Sequence, residues 1–528
     1  MSDDDRRVSA RRLGLHQPRD AGPVGTALPS MPSMPAMTPV YVPAYQVYPG
    51  QTWPAVVGRP STRVLVAVGG VGVVAAIMLP TVTPGLGWLV TVLAAVGGVG
   101  WAAWQRFTPV GRDWWLARWE RAGWALLSVL LAAVCVLRSA GWLDTLALLG
   151  SVVAATLAVT GGRRLGELAF AVIAIPVAGL RGLPWLGRGT RMVRHTEQRT
   201  ARLVAAVLVG VLLLVVFGAL FAGADAGFAQ LLRDLTPRLD IASVLWSVFV
   251  FCVAAVSVVG ACYLLVSRPS WASGRRGQTW ARLRRAEWAV PVGALVVLFA
   301  VFVGVQVVAM FGGSGYVRAT PGLTYAQYAR GGFWQLLVVT VLTLLVFWGA
   351  VRFADRDRDR AWLRVLLGSL AALSVLIVVS ALVRMWSYQQ AYGFTVLRLL
   401  VEACEVWLGV VYLLIIVAGV RMRAGWLPRG AVALGMVALL ALAALNPDGF
   451  IATRNVDRFQ ATGRLDTRYL AGLSSDAIDA VRALPEPSQG CVLVGIADGL
   501  GSDDWRSWNV SRAQARTEFA GHGPACGD

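Results

Sequence analysis

The sequence predicts an all-α polytopic membrane protein of about 11 transmembrane helices, with a small, mainly helical extracytoplasmic C-terminal domain. Three observations predict it. Hydrophobic residues make up 57% of the 528-residue chain and charged residues only 15%, against roughly 25% charged in a soluble domain. The apolar residues fall in blocks of about 20, the length that crosses a ~30 Å hydrocarbon core. Residues 447–528 then change character, with eight arginines, eleven acids and turn residues such as Pro485, Pro487 and Gly490.

Residues 1–62 come first. Ten of the 24 prolines lie between Pro18 and Pro60, among Ser, Met, Gly and Ala. Such a segment buries too little apolar surface to offset chain entropy, so a disordered cytoplasmic tail is expected. Arg11-Arg12 faintly resembles an export signal, but no apolar run follows until Val64. The first apolar block therefore reads as a retained span.

The membrane domain is expected over 63–446. Its spans lie at approximately 64–80, 86–104, 123–138, 142–160, 203–222, 241–266, 289–311, 333–352, 361–383, 395–420 and 430–446. Tryptophans near span ends, among them Trp88, Trp101, Trp104, Trp124, Trp142, Trp334 and Trp426, read as an interfacial aromatic belt. With the N-terminus placed inside, the inner loops carry 25 arginines and the outer connections six, namely Arg138, Arg233, Arg238, Arg318, Arg330 and Arg384. That asymmetry predicts N-in, C-out. Leu165–Leu180 is apolar but short, contains Pro176 and is flanked by arginines. Crossing there would move 13 inner arginines outside, so 165–180 is expected to be interfacial or re-entrant on the cytoplasmic side.

The extracytoplasmic domain is expected over 447–528, with helices near 449–460, 475–484 and 504–520. Ser474 or Ser475 is the candidate cap of the second, and Cys491–Ile496 fits either strand or helix. Cys491 and Cys526 share this outer segment, where an oxidising compartment permits a disulfide. Cys135, Cys252, Cys262 and Cys404 fall in spans and read as packing residues.

Composition also excludes functions. All 48 basic side chains are arginines, so there is no phosphate-loop lysine and no Schiff-base lysine. His16, His195 and His522 are too far apart for a zinc helix. No catalytic residue, metal or cofactor is assigned. The net charge of +19 is explained by inner loops rather than nucleic acid. The partners expected are the lipid bilayer and, at the cytoplasmic arginine loops, anionic lipid.

Charges inside a bilayer are functional suspects by default. Arg398, Glu402 and Glu405 share one helix face, with Glu405 near the midplane and Arg398 placed to neutralise Glu402. They read as a proton or cation site or as a buried structural group, with Gln306 or Gln335 as partners for Glu405. A second candidate is an outer interfacial face of Thr324, Tyr325, Tyr328, Arg330 and Trp334. There Thr324 and Gln327 fit a capping box, and the aromatics either anchor the chain or bind lipid or glycan. Similar amphipathic connectors are expected after Asp225 and at 384–394. Asp144, at the start of a span, reads as solvated or capping.

Three strings carry a family resemblance. They are Leu323-Thr324-Tyr325-Ala326-Gln327-Tyr328-Ala329-Arg330-Gly331-Gly332-Phe333-Trp334-Gln335-Leu336, then Ala391-Tyr392-Gly393-Phe394-Thr395 with Arg398, then Asn446-Pro447-Asp448 with Arg454-Asn455-Val456-Asp457-Arg458. Together they resemble the bacterial membrane family catalogued as domain of unknown function 4173, close to 4153, over roughly residues 200–510. The resemblance implies a multi-span fold in a bacterial cytoplasmic membrane. It brings no catalytic residues. Three functions remain open: a non-enzymatic organiser or sensor at the outer face, a secondary transporter using Glu402 and Glu405, and an intramembrane transferase on lipid-linked substrates.

Overall fold

The computed structural model describes Trp53, Val56 and residues 58–79, 83–104, 112–162, 165–196, 241–267, 283–311, 333–355, 358–421, 424–521 and 524–526. Among these residues all regular structure is helical. The apolar helices are α1 (Thr62–Met78), α2 (Leu86–Ala103), α3 (Arg112–Leu137), α4 (Gly141–Thr160), α5 (Leu165–Thr196), α6 (Ile241–Val266), α7 (Arg285–Phe311), α8 (Phe333–Phe353), α9 (Arg360–Tyr392), α10 (Val396–Arg421) and α11 (Leu427–Leu445). Beyond them lie α12 (Pro447–Thr462), α13 (Thr467–Ala471), a 3-10 turn at Ser475–Ala477, α14 (Ile478–Val481), α15 (Ser488–Asp498) and α16 (Val510–Phe519). Eight described helices are long and apolar enough to cross a membrane, and Thr62–Met78 and Val338–Phe353 are shorter apolar stretches. The expected span 203–222 lies outside the described residues.

Contacts between helix ends gather in two groups. At one end, Leu86 N–H donates to Trp508 O (3.0 Å) and Gly87 N–H to Arg506 O (2.7 Å). Ser139 N–H donates to Asp476 there (2.7 Å), and Phe394 N–H to Asn455 (3.1 Å). At the other, Arg429 forms an ion pair with Glu120 and caps α4 by donating to Gly161 O and Gly162 O (2.6 Å each). Arg285 pairs with Asp359 at 2.7 Å between the starts of α7 and α9.

Several expectations are corrected. The connector expected at 384–394 is helical to Tyr392, so Trp386, Tyr388 and Tyr392 sit on the last turns of α9. The segment 165–180, expected to be interfacial or re-entrant, is the first half of the 32-residue α5, which contains Pro176 and Pro184 and is not among the helices long and apolar enough to cross a membrane. It crosses α6 at a backbone-close contact. A Cβ on Gly260 would lie 2.2 Å from Ile175 O, and one on Gly179 would lie 2.6 Å from Val256 O. Only glycine permits that approach. Trp124 is 8% exposed and belongs to the core rather than the belt. Cys252 and Cys404 are exposed, not packed inside.

The tail expected to be disordered up to residue 62 is anchored near its end. Trp53 and Val56 are buried. The Trp53 indole donates to Ser267 O (3.1 Å) and meets Phe170 edge-on (5.7 Å). Arg181 lies over its ring at 4.9 Å, and Arg188 donates to Val56 O (2.5 Å). An indole that buries its ring and still donates its N–H outweighs the weak ordering drive of the surrounding prolines.

The C-terminal helices do not hold a core of their own. Ile451, Ala452, Val456, Ile478, Val481 and Val492 share one hydrophobic cluster with Leu131, Leu143, Ala147 and Leu157 of α3 and α4. They form a plate across the ends of the membrane helices. Within it, the helix expected at 475–484 is split into the 3-10 turn and α14, and neither Ser474 nor Ser475 supplies a side-chain cap. Cys491–Ile496 lies inside α15. The last helix starts at Val510 rather than near 504, because Asn509 Oδ1 accepts from Arg512 N–H and caps it there.

Candidate functional site

The helix spacing brings Arg398, Glu402 and Glu405 onto α10 as expected, but their pairing differs. Arg398 turns toward the carbonyl end of α9. It donates to Gly393 O, to Tyr392 O (3.1 Å) and to the Tyr388 hydroxyl (3.4 Å), and its guanidinium lies 4.4 Å from the Tyr388 ring centroid. Those carbonyls have no intrahelical partner, which makes them a strong sink for a nearby guanidinium. Arg398 therefore does not neutralise Glu402. Glu402 instead accepts from Gln389 Nε2 (3.1 Å). Gln389 is fully buried, and its Oε1 has no partner among the described residues.

Glu405 lies one turn deeper and is 3% exposed. Among the described residues no hydrogen bond or ion pair engages its carboxylate, and neither Gln306 nor Gln335 reaches it. Two turns along the same face, the buried Tyr412 donates to Thr340 O of α8 (3.0 Å).

The family strings at 391–398 and 446–458 meet in space. Asn455 uses its whole amide on Phe394. Its Oδ1 accepts from Phe394 N–H (3.1 Å) and its Nδ2 donates to Phe394 O (2.9 Å), with a further bond to Ile451 O (2.9 Å). Gly393 has φ +84°, and a Cβ there would meet Asn455 Oδ1 at 2.7 Å, so the turn that presents Phe394 requires glycine. Tyr469 completes the latch by accepting from Val396 N–H (2.8 Å). Burial of Tyr469 pushes its phenol pKa up, so it stays neutral.

Asn446 turns the chain from α11 into α12. It is left-handed (φ 55°) and accepts from Gly449 N–H (3.3 Å), with Pro447 in the first turn. The Asp448 carboxylate accepts from the Trp142 indole (3.3 Å) and Ser474 N–H (3.1 Å). Nearby, the hydroxyls of Ser139, Ser475 and Ser511 lie 2.8–3.2 Å apart. Asp476 accepts from Ser139 N–H and Oγ–H (2.7 and 3.1 Å) and approaches Arg138 at 3.7 Å. These serines hold the plate to the α3–α4 hairpin. Among the described residues no histidine stands beside them as a base.

The strongest charge cluster lies in the plate. Asp503 is 4% exposed at its side chain and accepts from Arg512 and Arg516 at 2.8 Å each. Thr83 donates to its other oxygen (3.1 Å), and Arg512 also donates to Pro84 O (2.8 Å). Burial pushes the Asp503 carboxyl up, but the two arginine hydrogen bonds and charges outweigh it and hold the pKa below the ordinary carboxylate range. Asp504 is lowered to about 2. Slight burial opposes the shift, and hydrogen bonds from Ser507 and Arg506 produce it. Cys491 and Cys526 form a disulfide with Cα atoms 4.2 Å apart. Asp144 is neither solvated nor a cap. The plate covers the start of α4, leaving it 1% exposed with Oδ1 unpartnered among the described residues.

Thr324, Tyr325, Tyr328 and Arg330, and the connector after Asp225, lie outside the described residues; Trp334 falls within α8, but its side chain is not described. Sequence reasoning missed the Asp503 cluster. Its signal was present, as two arginines one helical turn apart (Arg512, Arg516) following an acidic pair.

A family model described as Domain of unknown function (DUF4153) matches residues 125–484, more than half of the chain. The chain belongs to that family. The expected nearness to 4153 fits this match, the finer resemblance to 4173 is not shown, and the matched region begins in α3, well before residue 200. The DUF4153 region contains the α10 acids, the Asn455 latch and Asp476, whereas the Asp503 cluster and the disulfide lie beyond it. No curated protein and no solved structure matches the chain.

Proposed function

We propose that this integral membrane protein is a non-enzymatic organiser or sensor at the outer face of the bacterial cytoplasmic membrane, N-terminus inside and C-terminus outside. The observation that supports it is the plate. One folded polar layer grips the ends of the α1–α2, α3–α4 and α9–α10 hairpins. The arginine count of the sequence puts the arginine-rich loops on the opposite side, where they would suit anionic lipid. The contacts of Phe170, Arg181 and Arg188 with the segment 53–56 favour an α5 lying along that inner face.

A second reading, a secondary transporter, draws on Glu405, a buried carboxylate without a partner among the described residues. Full-length protein in vesicles holding a trapped pH dye separates the two. An organiser gives no proton flux above protein-free vesicles, with or without Glu405→Gln. A flux that Glu405→Gln removes would replace the organiser with a transporter. A reporter fused after residue 446 tests the orientation, and activity on the cytoplasmic side would overturn it. The serine cluster lends the transferase reading no support.

A further inference from the structure

A groove of about 610 Å³ opens where the plate meets the membrane helices, within the range of small-molecule sites, about 300–1,000 Å³. Its two walls differ in chemistry. The lower wall is Leu130, Ala133, Val134 and Leu137 of α3 facing Leu440 and Ala444 of α11. From Leu130 to Arg138 it rises about 12 Å along the helix. Leu130 is 43% and Leu137 55% exposed, and both lie on α3, a helix that suits a bilayer. The upper wall carries the charge: Arg138 at the end of α3 and, from the plate, Asp476, Asp479, Ser511, Gln514 and Glu518, beside the apolar Ile478 and Val510.

The charges on the upper wall are not equivalent. Asp476 is buried, with Oδ2 occupied by Ser139 and Ser474 and Oδ1 facing Arg138 at 3.7 Å. Glu518 is paired with Arg482 (2.9 Å). Two groups keep free capacity. Arg138 spends Nε on Ala443 O (2.8 Å) and one Nη2 proton on Ala444 O (3.4 Å), and touches Asp476 only at 3.7 Å. A guanidinium has five donors, so protons remain for an anion. Asp479 is exposed and has no ion-pair partner among the described residues.

We propose that this groove binds a zwitterionic phospholipid with a primary ammonium headgroup. Its phosphate lies on Arg138, its ammonium on Asp479, and its acyl chains descend along α3 and α11. The amphiphilic walls select a bilayer lipid over a soluble ligand. The remaining pair, one guanidinium and one carboxylate, matches the two charges of such a headgroup in sign and order. A quaternary ammonium offers no N–H to Asp479, and an anionic hydroxyl headgroup offers no positive charge. The site is independent of the choice between organiser and transporter.

The test is native mass spectrometry of the full-length protein, delipidated in detergent and given equal amounts of phosphatidylethanolamine, phosphatidylcholine and phosphatidylglycerol. The expected result is an ethanolamine-lipid adduct about fivefold more abundant than either competitor. Asp479→Asn, at an exposed position, should fold normally and bring the three to near parity. Ala133→Trp fills the apolar wall and should remove the preferred adduct, and chain-free glycerophosphoethanolamine should not compete. Parity in the wild type overturns the proposal, as does a preference that Asp479→Asn leaves intact. An adduct surviving in a folded Ala133→Trp places the lipid elsewhere, and equal competition by the chain-free headgroup means a soluble ligand. Should Ala133→Trp fail to fold, the Asp479→Asn result decides.

Discussion

Asp503 in the plate and Glu405 in α10 are both acids with almost no exposure, yet their surroundings are opposite. Asp503 has two guanidinium groups and a threonine hydroxyl on its oxygens. Glu405 has no such partner among the described residues. A buried carboxylate in a low-dielectric site is held by partners or it neutralises. Asp503 follows the first course, and its charge joins the C-terminal plate to the 83–84 turn. The contrast distinguishes charge used for assembly from charge left available for something else.

The largest effect expected from breaking the comparison is at Asp503. Asp503→Ala leaves Arg512, 6% exposed, as an unpaired buried charge, and losing one partner of such a pair costs about 3–5 kcal/mol. Hydrogen exchange across residues 500–519 should accelerate by at least a hundredfold, while exchange in α9 and α10 stays unchanged. Replacing both partners by apolar residues, Asp503→Leu with Arg512→Met, should recover much of the loss. Equal damage in the single and double variants would show that the hydrogen bonds to Pro84 O and Ser507 O matter more than the charge pair.

The Asn455 latch comes next. Asn455→Ala strips both backbone groups of Phe394 of their partner in a buried position, at about 1–3 kcal/mol. Gly393→Ala should cost a similar amount through its left-handed backbone and the clash with Asn455. Because the two residues touch, the double variant should cost clearly less than the sum. Thermal unfolding of the purified protein measures all three, and simple additivity would remove the latch.

Acid sharpens the same comparison by protonation instead of mutation. Asp503 and Asp504 have folded pKa values below their ordinary ones, so their contribution is complete above the ordinary carboxylate value of about 3.9. It is lost as pH falls through the folded values, which for Asp504 means toward about 2. Exchange protection of 500–519 should be flat from pH 7 to 5 and fall below about pH 4. Asp503→Asn should flatten much of that acid step. A loss centred near neutral pH would assign the sensitivity to other groups.

The bundle was legible in the sequence because apolar blocks of membrane length are a local signal. Features that depended on distant residues were not. The last turns of α9 read as a loop because Arg384, Ser387, Gln389 and Gln390 interrupt the apolar run, yet Gln389 is buried against Glu402. Arg398 and Glu402 are four residues apart and read as a pair, but the carbonyl end of α9 lies closer to the guanidinium. The composition change at 447 suggested a separate domain, whereas Ile451 and Val456 complete the α3–α4 core. The apolar run around Pro176 read as a short segment ending at Leu180, whereas α5 continues to Thr196. The Cys491–Cys526 disulfide rested on local evidence alone, two cysteines in one C-terminal segment.

The smallest structural effect is expected at Glu405, where the functional stakes are highest. Glu405→Gln keeps the size and hydrogen-bonding capacity of the side chain and removes only its charge. With no described partner to orphan, the substitution should leave thermal stability unchanged or slightly raised. Asp503→Asn, equally conservative, should destabilise the plate, because there the charge is engaged. If Glu405 serves packing alone, vesicle flux and membrane abundance should both stay at wild-type levels. If it carries protons or cations, flux should fall and lose its pH dependence while abundance stays normal. A marked loss of abundance would instead mean that Glu405 has an assembly partner, and the contrast with Asp503 would collapse, with both acids serving the fold.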